Sequence, residues 1–492
     1  MTDGPRPPTA ETGDAPLCEN LSPFRRPLVE GSVPCFRGHL RPALVAFGVF
    51  AVVFLVHVFS KVRHQADSIL TIPRAMSILT EGNTDVDEYA PLLAIHPRQY
   101  MLETVDGRTY CMYPIGPSLI ALPFVAVADA FWKSPDGQSY REFLKTNIAS
   151  RLEEIIASLC VAAACLFVYL AVRRRTGREW PALLVVFVLA FSTTAWSTAS
   201  RALWQHGPSM MFLSVALYLL VVAETRPAAA PQSGEALRGC PAAVQFVSLP
   251  LAAAYVCRPT NSIPILVITA LVLWKYRRWL VRYLLWSLPV AVPFVLFNLN
   301  LYGRMLSPYY TPHAMLIQSS FWTAFLGQMV SPARGLLVFS PVFLLVAVGV
   351  GIKWKEKRLD ALDLALGLIV VGHWIAISKM GWAWWAGDSF GPRFFTDVLP
   401  FLVWFLVPVV QKIARPSRSA QGSDARPLTV ARIVLAVAFF LLTAAGVAIH
   451  YRGANHHAVI AWNAIPVNVN LPENRWRLWD WSDLQFLRTD RR

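Results

Sequence analysis

Apolar runs of about 17 to 22 residues, among them 42–60, 180–199 and 335–352, constrain this chain more than any other feature. About 20 residues of helix, rising 1.5 Å each, cross roughly 30 Å of hydrocarbon, so runs of this length read as membrane spans. Composition agrees: of 492 residues, 55% are hydrophobic and only 15% are Asp, Glu, Lys or Arg, against about 25% charged in ordinary soluble domains. A multidomain soluble enzyme, a disordered chain and a small disulfide-stapled domain are excluded. The expected fold class is an all-α polytopic membrane protein, with about eleven transmembrane helices and one re-entrant or interfacial outer element.

The formal net charge of +15 would suggest nucleic acid as partner of a soluble chain. Here it reads as the basic loops that set membrane orientation, so no nucleic acid is expected. The seven cysteines are scattered without zinc-type spacing. Residues 1–41 are rich in proline and poor in apolar residues, which predicts a disordered cytoplasmic tail. No cleavable signal peptide pattern is present, and 42–60 reads as an uncleaved first span. The Ala- and Pro-rich stretch 225–243 reads as a flexible linker.

Sidedness follows from the loops. The apolar segments are 42–60, 113–132, 152–172, 180–199, 208–223, 242–257, 262–274, 280–299, 335–352, 361–378, 394–410 and 429–450. If all cross, with the amino terminus inside, then Arg173–Arg175, Lys275–Arg278, Lys353–Arg358 and Lys412–Arg418 all face outward, against the positive-inside rule. Taking 113–132 as non-crossing repairs every loop at once. That segment carries Pro114, Pro117, Pro123 and Asp129, and proline disturbs helix hydrogen bonding. Irregular backbone at membrane depth needs protein or a wet cavity around it. The domain reading is then 1–41 tail, 42–450 transmembrane domain with a large first outer loop at 61–151, and a Trp-rich outer-face tail at 451–492.

The unusual residues fall on the outer side. Asp67 precedes a stretch whose apolar residues, Ile69, Ile72, Met76 and Leu79, have roughly helical spacing; this predicts a helix lying on the membrane surface. Asp67 is a solvated loop acid or a general base, which must sit close to the group it deprotonates. Asp85 and Asp87 form a D-x-D, a weak candidate for a divalent cation. Tyr113 opens a Tyr-Pro-x-Gly turn. Between two spans lies 201–208, RALWQHGP, where Arg201, Gln205 and His206 are costly near hydrocarbon and suit a wet cavity or an anion; the plainer alternative is an interfacial turn anchored by Trp204. Arg258 marks a second cationic break. The stretch 379–393, KMGWAWWAGDSFGPR, sets Lys379, Arg393 and Asp388 among glycines and tryptophans including Trp385. A tryptophan belt alone does not require its Gly-Asp-Ser-Phe-Gly-Pro-Arg.

In order and sidedness these motifs, with "YG…SPYY" at 302–310 and "SPARGLLVFSPVFLL" at 331–345, resemble the C-type membrane glycosyltransferases. The resemblance covers about 42–492 and is to the protein mannosyltransferase and aminoarabinose transferase branch, among bacterial members. It implies the C-type glycosyltransferase fold and transfer of a hexosyl or pentosyl group from a polyprenyl-phosphate carrier on the outer face of a bacterial inner membrane, with a lipid, glycan or protein acceptor. Arg151-Leu152 is similar to the family's Arg-Leu at the start of the second span. Asp67 matches the family's early acidic residue, while Ser68 stands where an acidic partner is often found, so a possible divalent cation has an incomplete ligand set. On this reading Asp67 is catalytic. Arg201, Arg258 and Arg393, with Gln205, His206 and Lys379, hold the donor phosphate. Tyr113, Trp204, Trp385 and Asp388 line the sugar and acceptor cavity. The rival is a transporter or flippase of a lipid-linked sugar, which needs the same cations but binding groups near the midplane.

Overall fold

The computed structural model describes residues 35–64, 67–97, 99–225, 240–310, 320–379, 383–414 and 429–489. The chain divides into two units, Met1–Leu44 and Val45–Arg492. Of the first, only the opening turns of the helix Cys35–Val58 are described. The expected tail up to residue 34, and most of the expected linker, lie outside the described residues.

The protein is an all-α polytopic membrane protein. Six helices among the described residues are long and apolar enough to cross a membrane: Ser150–Thr176, His206–Glu224, Arg277–Tyr302, Ala361–Lys379, Arg393–Ala414 and Val430–Asn455. Other apolar segments form shorter helices at Pro42–Val58, Gly116–Phe131, Glu179–Phe191, Pro241–Cys257 and Pro259–Lys275. The run at 335–352 is broken into Leu336–Phe339, Pro341–Phe343 and Leu344–Lys355, because Pro341 cannot donate the next helical hydrogen bond.

Ser150–Thr176 is the hub. It packs against His206–Glu224 and Glu179–Phe191, and its buried residues include Ala157, Cys160, Ala164, Cys165 and Ala171, small side chains of the kind that let helices approach closely where van der Waals packing drives association. The helix Val430–Asn455 approaches by the same device: a Cβ at Gly446 would collide with Ser192, and one at Gly453 with Phe390 and Ser197. Burial against protein differs sharply between the spans. Only 11% of the apolar window of Arg277–Tyr302 is buried against protein, whereas 94% of that of Arg393–Ala414 is. Leu284, Leu288, Val292 and Leu296 form an exposed stripe at a spacing of four.

The large loop folds into a small module. Helix Thr71–Thr80 packs on Gly116–Phe131, and strands β1 (Leu102–Val105) and β2 (Arg108–Cys111) form an antiparallel hairpin. The helix expected to lie on the membrane surface is instead enclosed: Thr71 through Ser77 are all buried. Its Arg74 explains why. Buried among carbonyls, it donates to Cys111 O, Tyr113 O and Pro114 O, and to Ser118 Oγ. The Tyr-Pro-x-Gly turn is thereby pinned to this helix. Gly116–Phe131 has 16 residues, about 24 Å of helix, short of the roughly 30 Å core.

Beyond the last span, the tail packs back on the loops. Trp462 is fully buried with Trp384, Trp385 and Leu478, and the buried Arg477 stacks on Trp462 and donates to three carbonyls.

Candidate active site

Where the loop module, the turns between spans and the tail meet, a cavity of about 540 Å³ opens, within the usual range for small-molecule sites. It is lined by nine of the residues singled out from sequence: Asp67, Tyr113, Trp204, Gln205, His206, Arg258, Trp385, Asp388 and Arg393. These come from five separate stretches of chain, so tertiary folding assembles the site.

Asp67 accepts a hydrogen bond from Arg393 Nη1 at 2.8 Å and one from the Tyr100 hydroxyl at 3.0 Å. Burial by itself raises the carboxyl, but the Arg393 charge and these two bonds outweigh it and hold Asp67 below the ordinary carboxylate range. It is therefore ionised at neutral pH. Arg393 also lies over the Trp204 ring, 4.4 Å from its centroid. His64 tilts against Trp204 at 5.2 Å; burial, then the Arg393 charge, lowers it to about 4, which leaves it neutral.

Asp67 is placed by its neighbour. Ser68 Oγ donates to Glu153 Oε2 at 2.5 Å, and the same oxygen accepts the Leu203 backbone N–H at 3.1 Å. Glu153 thus ties the Asp67 loop to the RALW turn. Arg258 pairs with Asp397 and stands 2.8 Å from His206 Nδ1; its guanidinium lies over Phe394 at 5.4 Å. Gln205 donates to the Tyr309 hydroxyl at 3.3 Å, and Tyr309 meets Tyr113 edge-on at 5.3 Å. Three buried polar atoms on lining residues, Arg393 Nε, Trp204 Nε1 and Thr260 Oγ1, have no hydrogen-bond partner among the described residues. Such atoms are costly unless something satisfies them.

Two expected phosphate ligands stand elsewhere. Arg201 is 1% exposed and does not line the cavity. Its guanidinium is spent on Glu154 Oε1, Ser200 Oγ and the carbonyls of His57 and Val62. Lys379 is exposed at the end of its helix, also away from the cavity. Asp85 and Asp87 serve the hairpin: Asp85 pairs with Arg108 at 2.7 Å, and Asp87 accepts the Thr109 N–H at 2.9 Å. No group of three or more His, Cys, Asp or Glu that could hold a metal occurs among the described residues. Residues 380–382 of the KMGWAWW stretch lie outside the described residues.

Sequence reading missed Tyr100, Tyr309 and Asn470, all of which line the cavity. Tyr309 lay within a quoted motif. Tyr100 and Asn470 carry no sequence signal, being polar residues in polar segments.

No family model matches the chain, and no curated protein does. It is similar to two solved structures, both of ArnT from Cupriavidus metallidurans. The one bound to undecaprenyl phosphate has 12% identity and a TM-score of 0.47, over 91% of this chain and 76% of that one. The apo one has 14% identity and a TM-score of 0.45, over 84% and 75%.

Proposed function

We propose that this chain is a C-type membrane glycosyltransferase that moves a sugar from a polyprenyl-phosphate carrier to an acceptor at the outer face of the membrane. One observation carries the reading: an ionised carboxylate and two guanidiniums, Asp67, Arg393 and Arg258, border one cavity with aromatic walls between apolar helices.

The chemistry assigns the parts. Asp67 takes the proton from the acceptor hydroxyl as its oxygen attacks the anomeric carbon. The bond from that carbon to the phosphate oxygen breaks, and the electron pair leaves with the polyprenyl phosphate. Arg393 and Arg258 meet the developing charge. Each has donors beyond the one its carboxylate uses, since a guanidinium offers five. Fixed cations aimed at a leaving phosphate stabilise the transition state more than the ground state. Trp204, Tyr113 and Tyr309 give the sugar and the first carrier carbons an apolar wall. Arg201 is left out of this scheme because its partners are internal. Transfer without a metal fits the donor set, because the phosphate charge meets arginines.

The test uses the purified full chain in lipid nanodiscs with undecaprenyl phosphoglucose and phosphomannose. Enzymatic release or transfer of the sugar, absent in Asp67→Asn, supports the reading. A carrier that stays intact while crossing the bilayer of proteoliposomes would make this a flippase instead. Orientation is checked with single cysteines: those at Arg178 and Gln411 should resist an impermeant thiol reagent from outside, and those at Glu103 and Glu473 should react. Outside labelling at Arg178 would mean that 113–132 crosses.

A further inference from the structure

The cavity has a second polar group that the transfer chemistry does not use. Asn470, from the tail, spends its side-chain amide at both ends: Oδ1 accepts the Trp385 indole N–H at 2.8 Å, and Nδ2 donates to Asp388 Oδ1 at 2.7 Å. All three residues line the cavity. The indole can only donate and the carboxylate accepts, so the amide has one orientation here. Among the described residues no other hydrogen bond or ion pair reaches the Asp388 carboxylate.

The backbone bearing this carboxylate is held in an unfavourable shape. Ala386 and Gly387 are both left-handed, with φ of 63° and 60°; an L side chain such as that of Ala386 rarely adopts it. Arg334, buried, holds the pair by donating Nε to Trp385 O at 2.8 Å and Nη2 to Gly387 O at 3.1 Å. Its remaining donors go to the Ala333 carbonyl and to Asn463 Oδ1 and Gln485 Oε1 of the tail. The tail therefore grips this loop through Arg334, through Asn470, and at Ser389 O, which accepts from Asn463 Nδ2 and Gln485 Nε2. Strain kept in place by so many contacts is a mark of functional loops.

We propose that Asp388 and Asn470 form a subsite for the hydroxyl groups of a sugar ring, with Asp388 binding the ring and Asn470 positioning it. This rests on the glycosyl-transfer reading. A carboxylate with one oxygen engaged accepts hydroxyl protons and repels a phosphate, so the ligand must lie with its phosphate at Arg258 and Arg393 and its neutral hydroxyls at Asp388. Trp385 serves as a backing wall, one face covered by Arg475 at 4.8 Å. The ring belongs either to the donor or to a saccharide acceptor, and the test separates these.

Binding of undecaprenyl phosphate and of its glucosyl and mannosyl esters is measured on the full chain in nanodiscs, for wild type, Asp388→Asn, Asn470→Ala and Asn470→Gln. If the ring is the donor's, Asp388→Asn and Asn470→Ala weaken the hexosyl esters about tenfold, the loss expected for one charge-assisted hydrogen bond. The bare carrier stays within about twofold, and Asn470→Gln recovers part of the loss. If the ring is the acceptor's, all carrier affinities hold and the KM for methyl hexosides offered as acceptors rises about tenfold. Equal loss for bare and glycosylated carrier, or no change in either arm, overturns the subsite. Asp388→Asn changes only an exposed side chain, so it stays informative if Asn470→Ala misfolds. Failure of wild type to bind undecaprenyl phosphate would instead overturn the underlying function.

Discussion

Two carboxylates in this molecule meet arginines and end in opposite situations. Glu154 accepts from Arg151 at 2.6 Å, Arg63 at 3.0 Å and Arg201 at 3.2 Å, with its own side chain fully buried. Asp67 meets one arginine, Arg393, and opens on the cavity. The charged groups are the same, carboxylate and guanidinium. At Glu154 and Arg201 the polar atoms are consumed by protein, down to the His57 and Val62 carbonyls. At Arg393 one buried nitrogen has no partner among the described residues. Arginine marks a site here only where donors remain beside open volume; where they are consumed it holds helices together.

The largest effect that sharpens this contrast is expected at Glu154. Glu154→Gln leaves Arg201 buried without a counter-charge, a change that costs about 3–5 kcal/mol. A clear fall in the thermal unfolding midpoint in detergent should follow. An unchanged midpoint would mean that water reaches the cluster and the two regions are not so different.

Asp67→Asn should act on turnover instead. Loss of a positioned base lowers rates by about 100-fold or more, with carrier binding nearly unchanged. Full turnover in this variant would remove Asp67 as the base and return it to the status of a solvated acid.

Arg393→Ala or Arg258→Ala should weaken binding of undecaprenyl phosphate by about tenfold, because each deletes a charge-assisted contact. Arg201→Met, in whatever fraction folds, should bind it normally. Equal weakening by Arg201→Met would erase the distinction between consumed and available arginines.

The smallest effect is a shift in pH dependence. Arg393 is what holds the Asp67 carboxyl down against burial. In Arg393→Met the largest opposing effect is gone and the Tyr100 bond remains against burial, so the carboxyl titrates higher and the acid limb of the residual turnover moves to higher pH. An unmoved limb would show that another group governs it.

How much of this was legible in the sequence depends on what each residue had to contrast with. Arg258, Gln205, His206 and Arg393 stand out because they interrupt apolar runs, and the cavity gathers all four. Arg201 stands out equally and lies elsewhere, because its use depends on Glu154, which is 47 positions away in sequence. Helix Thr71–Thr80 had a readable apolar face, yet its burial on both sides came from Arg74 reaching the 111–118 turn. Tyr100 and Asn470 were unreadable because a polar residue in a polar segment has nothing to contrast with. Only the folded chain brings them to Asp67 and Asp388.

The grip of the tail on the 385–388 loop also has a meaning in time. Chains are made from the amino end, and domains generally fold in that order. Asn463, Asn470 and Gln485 follow the helix Val430–Asn455 in the chain. The residues that hold Ala386 and Gly387 in their left-handed turn are therefore made after every one of the long helices. A chain cut short before residue 463 keeps the sequence of all its long helices and of Asp67, Arg258 and Arg393, but has lost Asn463, Asn470 and Gln485, the residues that support its Asp388 loop.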